Sequence, residues 1–353
     1  MIEAAGDWFL NSGICEGCGG VARYYRSDLR RNAPISNEIT GYATGALFYF
    51  HRRTGESIYL DAALRSARFL TRCAWNEKLE TFPFEAIENG RGLAYFFDAG
   101  IIVRGLLAAW RATEDIEFRD AAIAAGRSML YDFPSPEGIN PILALPDKSA
   151  VPWEPRWSRS PGCYQLKSAM AWHELFEVTG EDAFQQGYES ALAAALADAD
   201  RFLPGDPEEP RVMDRLHAHS YFLEGLLPVV DRPDCAAAFC KGVERTGYYL
   251  RQIAPAFARS DVYGQLLRAR LMGEAEGVLP LDWAAAEHEA EQAAAFQLSA
   301  NDSRGSGGFL FGRRRGEDMH YVNPVSTAFC AQALCMWEDR EAGRPMISRH
   351  DLI

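Results

Sequence analysis

Residues 100–115, GIIVRGLLAAWRATED, read as an apolar helix stopped by a short polar segment, and residues 116–130, IEFRDAAIAAGRSML, read as a second helix that begins at once. The first has an apolar or small residue at nearly every position, the pattern of a helix buried on most sides. The second mixes apolar and charged residues at helical spacing, the pattern of a helix with one wet face. The pairing recurs along the chain. GYATGALFYF, KSAMAWHELF and SYFLEGLLPV run into HRRTGES (51–57), FEVTGED (176–182) and VVDRPD (229–234). Each is followed by a more amphipathic helix, in order IYLDAALRSARFLTRCAW, AFQQGYESALAAALADADRFL and CAAAFCKGVERTGYYLRQI. VYGQLLRARLMG with WAAAEHEAEQAAAFQ makes a fifth pair, and VSTAFCAQALCMW with the opening EAAGDWFL a sixth. Self-similarity at a regular spacing is the mark of a repeat architecture.

The connections differ in kind. Links within a pair are short, as between adjacent antiparallel helices, whereas links between pairs (12–36, 76–94, 132–159, 204–213 and 298–322) are long and rich in Gly, Pro and aromatics. Long loops in a compact chain are commonly functional. The expectation is an all-α fold, an (α/α)6 toroid whose inner and outer helix rings carry the long loops on one face as a cleft. No linker separates two regimes of composition, so residues 1–353 are expected to be one domain.

The 353 residues are 48% hydrophobic and 24% charged, ordinary globular values that exclude whole-chain disorder. A net charge of -13 argues against nucleic acid and against a polybasic membrane anchor. No apolar run reaches the ~18–20 residues of a membrane span, and MIEAAGDWFLNSG lacks the pattern of a signal peptide, so a cytoplasmic location is expected. The eight cysteines are too sparse for a disulfide scaffold and read as reduced thiols. Cys15-x-x-Cys18 lacks the second pair that structural zinc requires. No metal and no cofactor are expected, and the oligomeric state is left open.

Candidate chemistry collects where the apolar helices begin. Glu38, Asp98, Asp214 and Asp261 are candidate acid/base carboxylates, with His217 and His219 as candidate proton carriers. Any one of these carboxylates could equally cap a helix. Asp98 follows Tyr95, Phe96 and Phe97, a setting that raises a carboxyl pKa by desolvation and suits a general acid. Arg159, Tyr164, Gln165, Arg259, His320, Tyr321 and Asn323 are candidate substrate-binding groups. Trp153 and Trp157 are read either as sugar-stacking faces or as plugs of their loop. GSGGFLFGRRRGEDMHY (305–321) reads as a lid whose arginines meet an anionic group, or as a solvated basic loop.

At these positions the chain resembles the six-hairpin glycosidase superfamily. FDAGIIVRGLLAAWRATED is similar to the aspartate-glycine helix start of unsaturated glucuronyl hydrolases, and RWSRSPGCYQLKSAMAWHELFEVTGE to their Trp-x-Arg-Gly repeat, with Ser160-Pro161-Gly162 departing from it. MDRLHAHSYFLEGLL is similar to the His-x-His segment of N-acylglucosamine 2-epimerases. The resemblance implies the toroid and a sugar ligand, with Asp98 acting in a hydrolase and His217 or His219 in an epimerase. Three functions stay open. One is a glycoside hydrolase acting on an oligosaccharide, a uronate-containing one included, by carboxylate catalysis. The second is a sugar epimerase or polysaccharide lyase using His chemistry. The third is a non-catalytic toroid binding glycan or protein. The expected partner is a small-molecule or oligosaccharide substrate.

Overall fold

The computed structural model describes residues 2–85, 90–299 and 302–353, so the expected loops 76–94 and 298–322 fall partly outside it. Twelve α-helices are present among the described residues: α1 (Ile2–Asn11), α2 (Asn37–Thr54), α3 (Ser57–Phe69), α4 (Phe96–Thr113), α5 (Ile116–Asp132), α6 (Leu166–Thr179), α7 (Asp182–Phe202), α8 (Glu209–Leu226), α9 (Pro233–Ile253), α10 (Ser260–Ala275), α11 (Trp283–Ala294) and α12 (Pro324–Glu341). Eleven short strands decorate the connections: β1 (Tyr25–Arg26), β2 (Arg31–Asn32), β3 (Gly92–Tyr95), β4 (Pro134–Ser135), β5 (Gly138–Ile139), β6 (Ile142–Leu145), β7 (Ser149–Ala150), β8 (Phe257–Arg259), β9 (Gly312–Arg314), β10 (Glu317–Asp318) and β11 (Tyr321–Val322). Among the described residues no helix is long and apolar enough to cross a membrane, and no disulfide links the cysteines.

One turn is built three times. Thr54, Thr113 and Thr179 close α2, α4 and α6, and each hydroxyl donates to the carbonyl four residues back, of Phe50, Ala109 and Leu175, at 2.8 Å. Each also accepts from the N–H two residues on, of Glu56, Asp115 and Glu181, at 3.1–3.3 Å. A Thr hydroxyl is both donor and acceptor, so it satisfies a helix-end carbonyl and starts the next helix in one step. Gly55 and Gly180 sit between the paired residues at φ 76° and 70°, the left-handed C-cap that glycine adopts most easily. Glu114 takes the same place at φ 59°.

The chain forms two compact units, Glu16–Ala22 with Pro34–Asp198, and Met1–Cys15 with Arg23–Ala33 and Ala199–Ile353. In the unit containing α2 to α6, α2 and α4 are buried along nearly their whole length, whereas α3 buries only Tyr59, Ala62, Ala63, Ser66 and Ala67, a single stripe. The buried helices touch backbone to backbone. A Cβ on Gly41 would lie 3.0 Å from Ile102 Cα, one on Gly105 2.7 Å from the Gly41 carbonyl, and one on Gly100 2.5 Å from Ser168 Cβ and carbonyl. Glu174 of α6 accepts from Arg104 Nε and Arg111 Nη1 of α4, each at 2.7 Å. Burial raises the Glu174 pKa, but the two guanidiniums overcome it and hold the carboxyl at about 2. β3, β6 and β7 form an antiparallel sheet ahead of α4.

The other unit repeats the scheme. α8, α10 and α12 are buried on most sides, and α9 buries the stripe Cys235, Phe239, Gly242, Val243, Thr246, Gly247, Leu250 and Ile253. Gly264 lets α10 meet the Phe329–Cys330 backbone of α12, where a Cβ would sit at 3.2 Å. Arg268 of α10, fully buried, pairs with Glu224 of α8 and donates to Gln332 Oε1 of α12 at 2.9 Å. One expectation is corrected. α8 starts at Glu209, with Pro210 in its first turn, so Asp214, His217 and His219 lie inside a continuous helix rather than at its mouth. The RRR run forms a hairpin with Arg313 and Arg314 over the rings of Phe296 and Phe257, at 4.6 and 5.1 Å.

Paired substitutions test the backbone contacts. Gly100→Ala is expected to lower the unfolding free energy by ~1–3 kcal/mol through overpacking. Gly45→Ala, in the same layer but with nothing within 4 Å of its Cβ, is expected to raise it by ~0.5–1 kcal/mol through helix propensity. Equal denaturant midpoints for the two variants would refute the close approach.

Candidate functional site

In the unit holding α8 to α12, four groups from three segments converge. Arg259 ends β8 and turns back on Asp261 in the first turn of α10, donating Nε to Oδ1 at 3.0 Å and Nη2 to Oδ2 at 2.7 Å. Its Nη1 donates to Asp214 Oδ1 of α8 at 2.8 Å, and the ring of Phe311 lies 4.5 Å beneath it. A planar guanidinium meets two carboxylates and a ring face at once, which an ammonium does not. Asp261 is 1% exposed, while the Asp214 side chain is 43% exposed. Burial raises the Asp261 pKa, but Arg259 and then His217 outweigh it and hold the carboxyl below its ordinary value.

His217 stands one turn beyond Asp214, with Nδ1 2.7 Å from Gln265 Oε1 and 3.6 Å from Asp261 Oδ2. An amide oxygen facing Nδ1 requires a proton there and leaves Nε2 with the lone pair. Burial, then the charge of Arg259, lowers the imidazole pKa to about 4, against the raising effect of Asp261 and Gln265. His217 is therefore neutral at pH 7 and able to accept a proton. Its partner in the sequence reading, His219, points elsewhere: two residues on along one helix it faces α9, bonding Thr246 Oγ1 at 3.0 Å and stacking on Phe202. Burial lowers its pKa to about 3.

In the other unit, Asp98 occupies the first turn of α4 and is 5% exposed. The Tyr95 phenol lies beside it and hydrogen-bonds Arg159. Its pKa is raised by burial and then by the Asp98 charge, against Arg159. Arg159 also pairs with Glu154. Tyr164 is buried, its pKa raised by burial, with its hydroxyl donating to the Ser160 carbonyl at 3.1 Å, and its ring meets Trp157 edge-on at 5.1 Å. Gln165 is tied into the loop, donating to the Ile139 carbonyl at 3.1 Å and accepting from Gly162 N at 3.2 Å. Glu38 sits half-buried in the first turn of α2, the neighbour of α4. Trp153 is exposed on its loop.

Of the remaining candidates, Asn323 caps α12, its Oδ1 accepting from Val325 and Ser326 N–H at 2.8 and 3.3 Å. Tyr321 is half-buried, edge-on to Tyr24 at 5.1 Å and under Arg26 at 5.0 Å. His320 is exposed. Glu154, which pairs with Arg159, escaped the sequence reading, and Tyr95 entered it only as part of the aromatic setting of Asp98. The Glu154-to-Arg159 spacing within one loop was the available signal. Among the described residues no group of three or more His, Cys, Asp or Glu is placed to hold a metal ion.

No family model matches the chain, and no curated protein matches it. Solved structures do. A sugar epimerase from a ruminal bacterium superposes with a TM-score of 0.70 over 95% of this chain and 98% of its own, at 12% identity. D-mannose isomerase gives 0.69 over 95% and 96%, at 9% identity. The unsaturated glucuronyl hydrolase of Bacillus sp. GL1, responsible for the degradation of glycosaminoglycan, gives 0.66 over 96% and 97%, at 13% identity. The chain thus shares with these enzymes the all-α fold of an (α/α)6 toroid.

The two buried imidazoles set a pH dependence. Both have folded pKa values below the unfolded ~6.5, so the unfolded state binds more protons between about pH 6.5 and 4. Stability is therefore expected to fall as the pH drops through that window, by roughly 3 kcal/mol per imidazole. Denaturant titrations at stepped pH would read this slope, and His219→Gln should remove part of it. A flat profile in the wild-type protein would overturn the assignment.

Proposed function

We propose that the chain is a carbohydrate-active enzyme, acting as one domain on a cytoplasmic sugar, and that it moves a proton at a sugar carbon as an epimerase or isomerase does. The observation that carries this reading is His217, a neutral imidazole whose Nδ1 is occupied by Gln265 while Asp261, clamped by Arg259, stands behind it. A base fixed in one tautomer takes a proton on Nε2 without rearranging, and the nearby carboxylate stabilises the imidazolium that forms. The proton leaves a carbon next to a carbonyl, the electron pair passes to the carbonyl oxygen as an enediolate, and the proton returns to carbon. Likeness to a sugar epimerase and a D-mannose isomerase agrees with this chemistry at the level of fold. Arg259 has a positioning role: it orders Asp261 and lowers the His217 pKa. In deuterated buffer, solvent label is expected to enter one carbon-bound position of a converted sugar from a panel including mannose, glucose and cellobiose. His217→Asn is expected to slow exchange by ~10²–10⁴-fold with the fold intact. Conversion of a sugar without label would sink the reading.

Hydrolysis is the second reading, favoured by Asp98, a nearly buried carboxyl with the Tyr95 and Tyr164 phenols beside it. A carboxyl in an apolar setting is suited to protonate a glycosidic oxygen. Asp98→Asn is expected to abolish release of reducing ends from oligosaccharides while leaving sugar binding in place. Undiminished release would exclude Asp98 as the acid.

A further inference from the structure

The loop that carries Arg159 also builds a pocket that neither reaction uses. It has a volume of about 400 Å³ and is lined by Ser135, Glu137, Asn140, Val151, Pro152 and Trp153 among others. Trp153 is 43% exposed, unusual for so large an apolar side chain, and its indole stacks on no other ring among the described residues. Trp157, four residues on, is by contrast packed against Tyr164. Asn140 is the second observation. It is only 9% exposed, its backbone N–H is bonded to the Phe133 carbonyl at 2.9 Å, and its side-chain amide has no hydrogen-bond partner among the described residues. The amide lines the pocket, where it can exchange water for the hydroxyls of a ligand.

The pocket is rigidly placed relative to Asp98. Tyr95 pairs with Ile142 across β3 and β6, Phe96 N–H bonds the Pro141 carbonyl at 3.0 Å, and Val151 N–H bonds the Ile142 carbonyl at 3.1 Å. Asn140 therefore leads directly into the strand beside Tyr95, and Trp153 follows the next strand out. Two strand spacings, about 10 Å, separate the two sides of this ladder. A flat apolar ring beside an amide, a hydroxyl and a carboxylate is the chemistry that holds a sugar ring, its apolar face on the indole and its hydroxyls on the polar groups. The ionic character of the lining selects further: it includes the carboxylate of Glu137 and no cation.

We propose that the pocket at Trp153 and Asn140 is a remote subsite for a neutral hexosyl unit, so that the substrate is an uncharged oligosaccharide rather than a monosaccharide or a uronate. This rests on the carbohydrate reading above but on neither of its reactions. The test is calorimetric titration of the whole chain with glucose, cellobiose, cellotetraose, mannotetraose and maltotetraose, and with the unsaturated chondroitin disaccharide as the uronate probe. Affinity is expected to rise with length in at least one neutral series. Trp153→Ala or Asn140→Ala should lower affinity for that tetraose by about tenfold while leaving glucose unaffected, and Trp153→Phe should keep most of it. Glu137→Gln should improve binding of the uronate disaccharide. Tetraose binding that is absent, or equal in wild type and Trp153→Ala, overturns the subsite. Where His217-dependent label exchange survives that result, the subsite alone fails. Where Trp153-dependent binding occurs without exchange or cleavage of any sugar, the subsite stands and the reaction readings fall.

Discussion

Helix backbones in direct contact are the constraint on which the rest of the structure depends. Gly41 and Gly105 bring α2 and α4 together, Gly100 brings α4 onto Ser168 of α6, and Gly264 brings α10 onto α12. At each place a methyl group would occupy space held by backbone or by Cβ, which does not yield as the tip of a long side chain does. The helices so joined are buried on nearly all sides, and the outer helices need only one apolar stripe each to cover them. The small-residue composition of the buried helices is thus a packing requirement before it is anything else.

Close packing alone leaves each helix free to slide by a turn, and buried ion pairs remove that freedom. Glu174 takes two arginines of α4, and Arg268 reaches both Glu224 and Gln332. Such pairs contribute little net stability once desolvation is counted, but leaving one partner alone costs several kcal/mol, so a slipped register is strongly disfavoured. The cluster around Arg259 follows the same rule with one difference: Asp214 keeps a foot in solvent, so this ion network reaches the surface, whereas the Arg268–Glu224 pair is sealed.

Much of the architecture was legible because its signals are local. Threonine followed by a glycine or acid and then a carboxylate marks a helix end and a helix start in adjacent residues, and the three hydroxyl-bridged turns follow from it. The site was legible only as residue types. Arg259 and Asp214 are 45 apart in sequence, and nothing local announces that they pair. His217 and His219 could be separated only once α8 was known to be continuous through both, and the clue, Pro210 in the first turn, lies upstream of the stretch that draws attention. Asn323, a polar residue at a helix start, caps α12 through its Oδ1, a use that its residue type and position announce as readily as ligand binding.

The ties that set helix positions lie mostly within the helices, whereas most of the candidate chemistry sits on loops, short strands and first turns. Trp153, Arg159 and Phe311 belong to segments whose exchange would leave the glycine contacts and the Glu174 and Arg268 pairs untouched. A scaffold divided in this way is free to change its ligand without renegotiating its fold. The same fold at 9–13% identity is found in a sugar epimerase, a D-mannose isomerase and an unsaturated glucuronyl hydrolase, as a scaffold divided in this way allows.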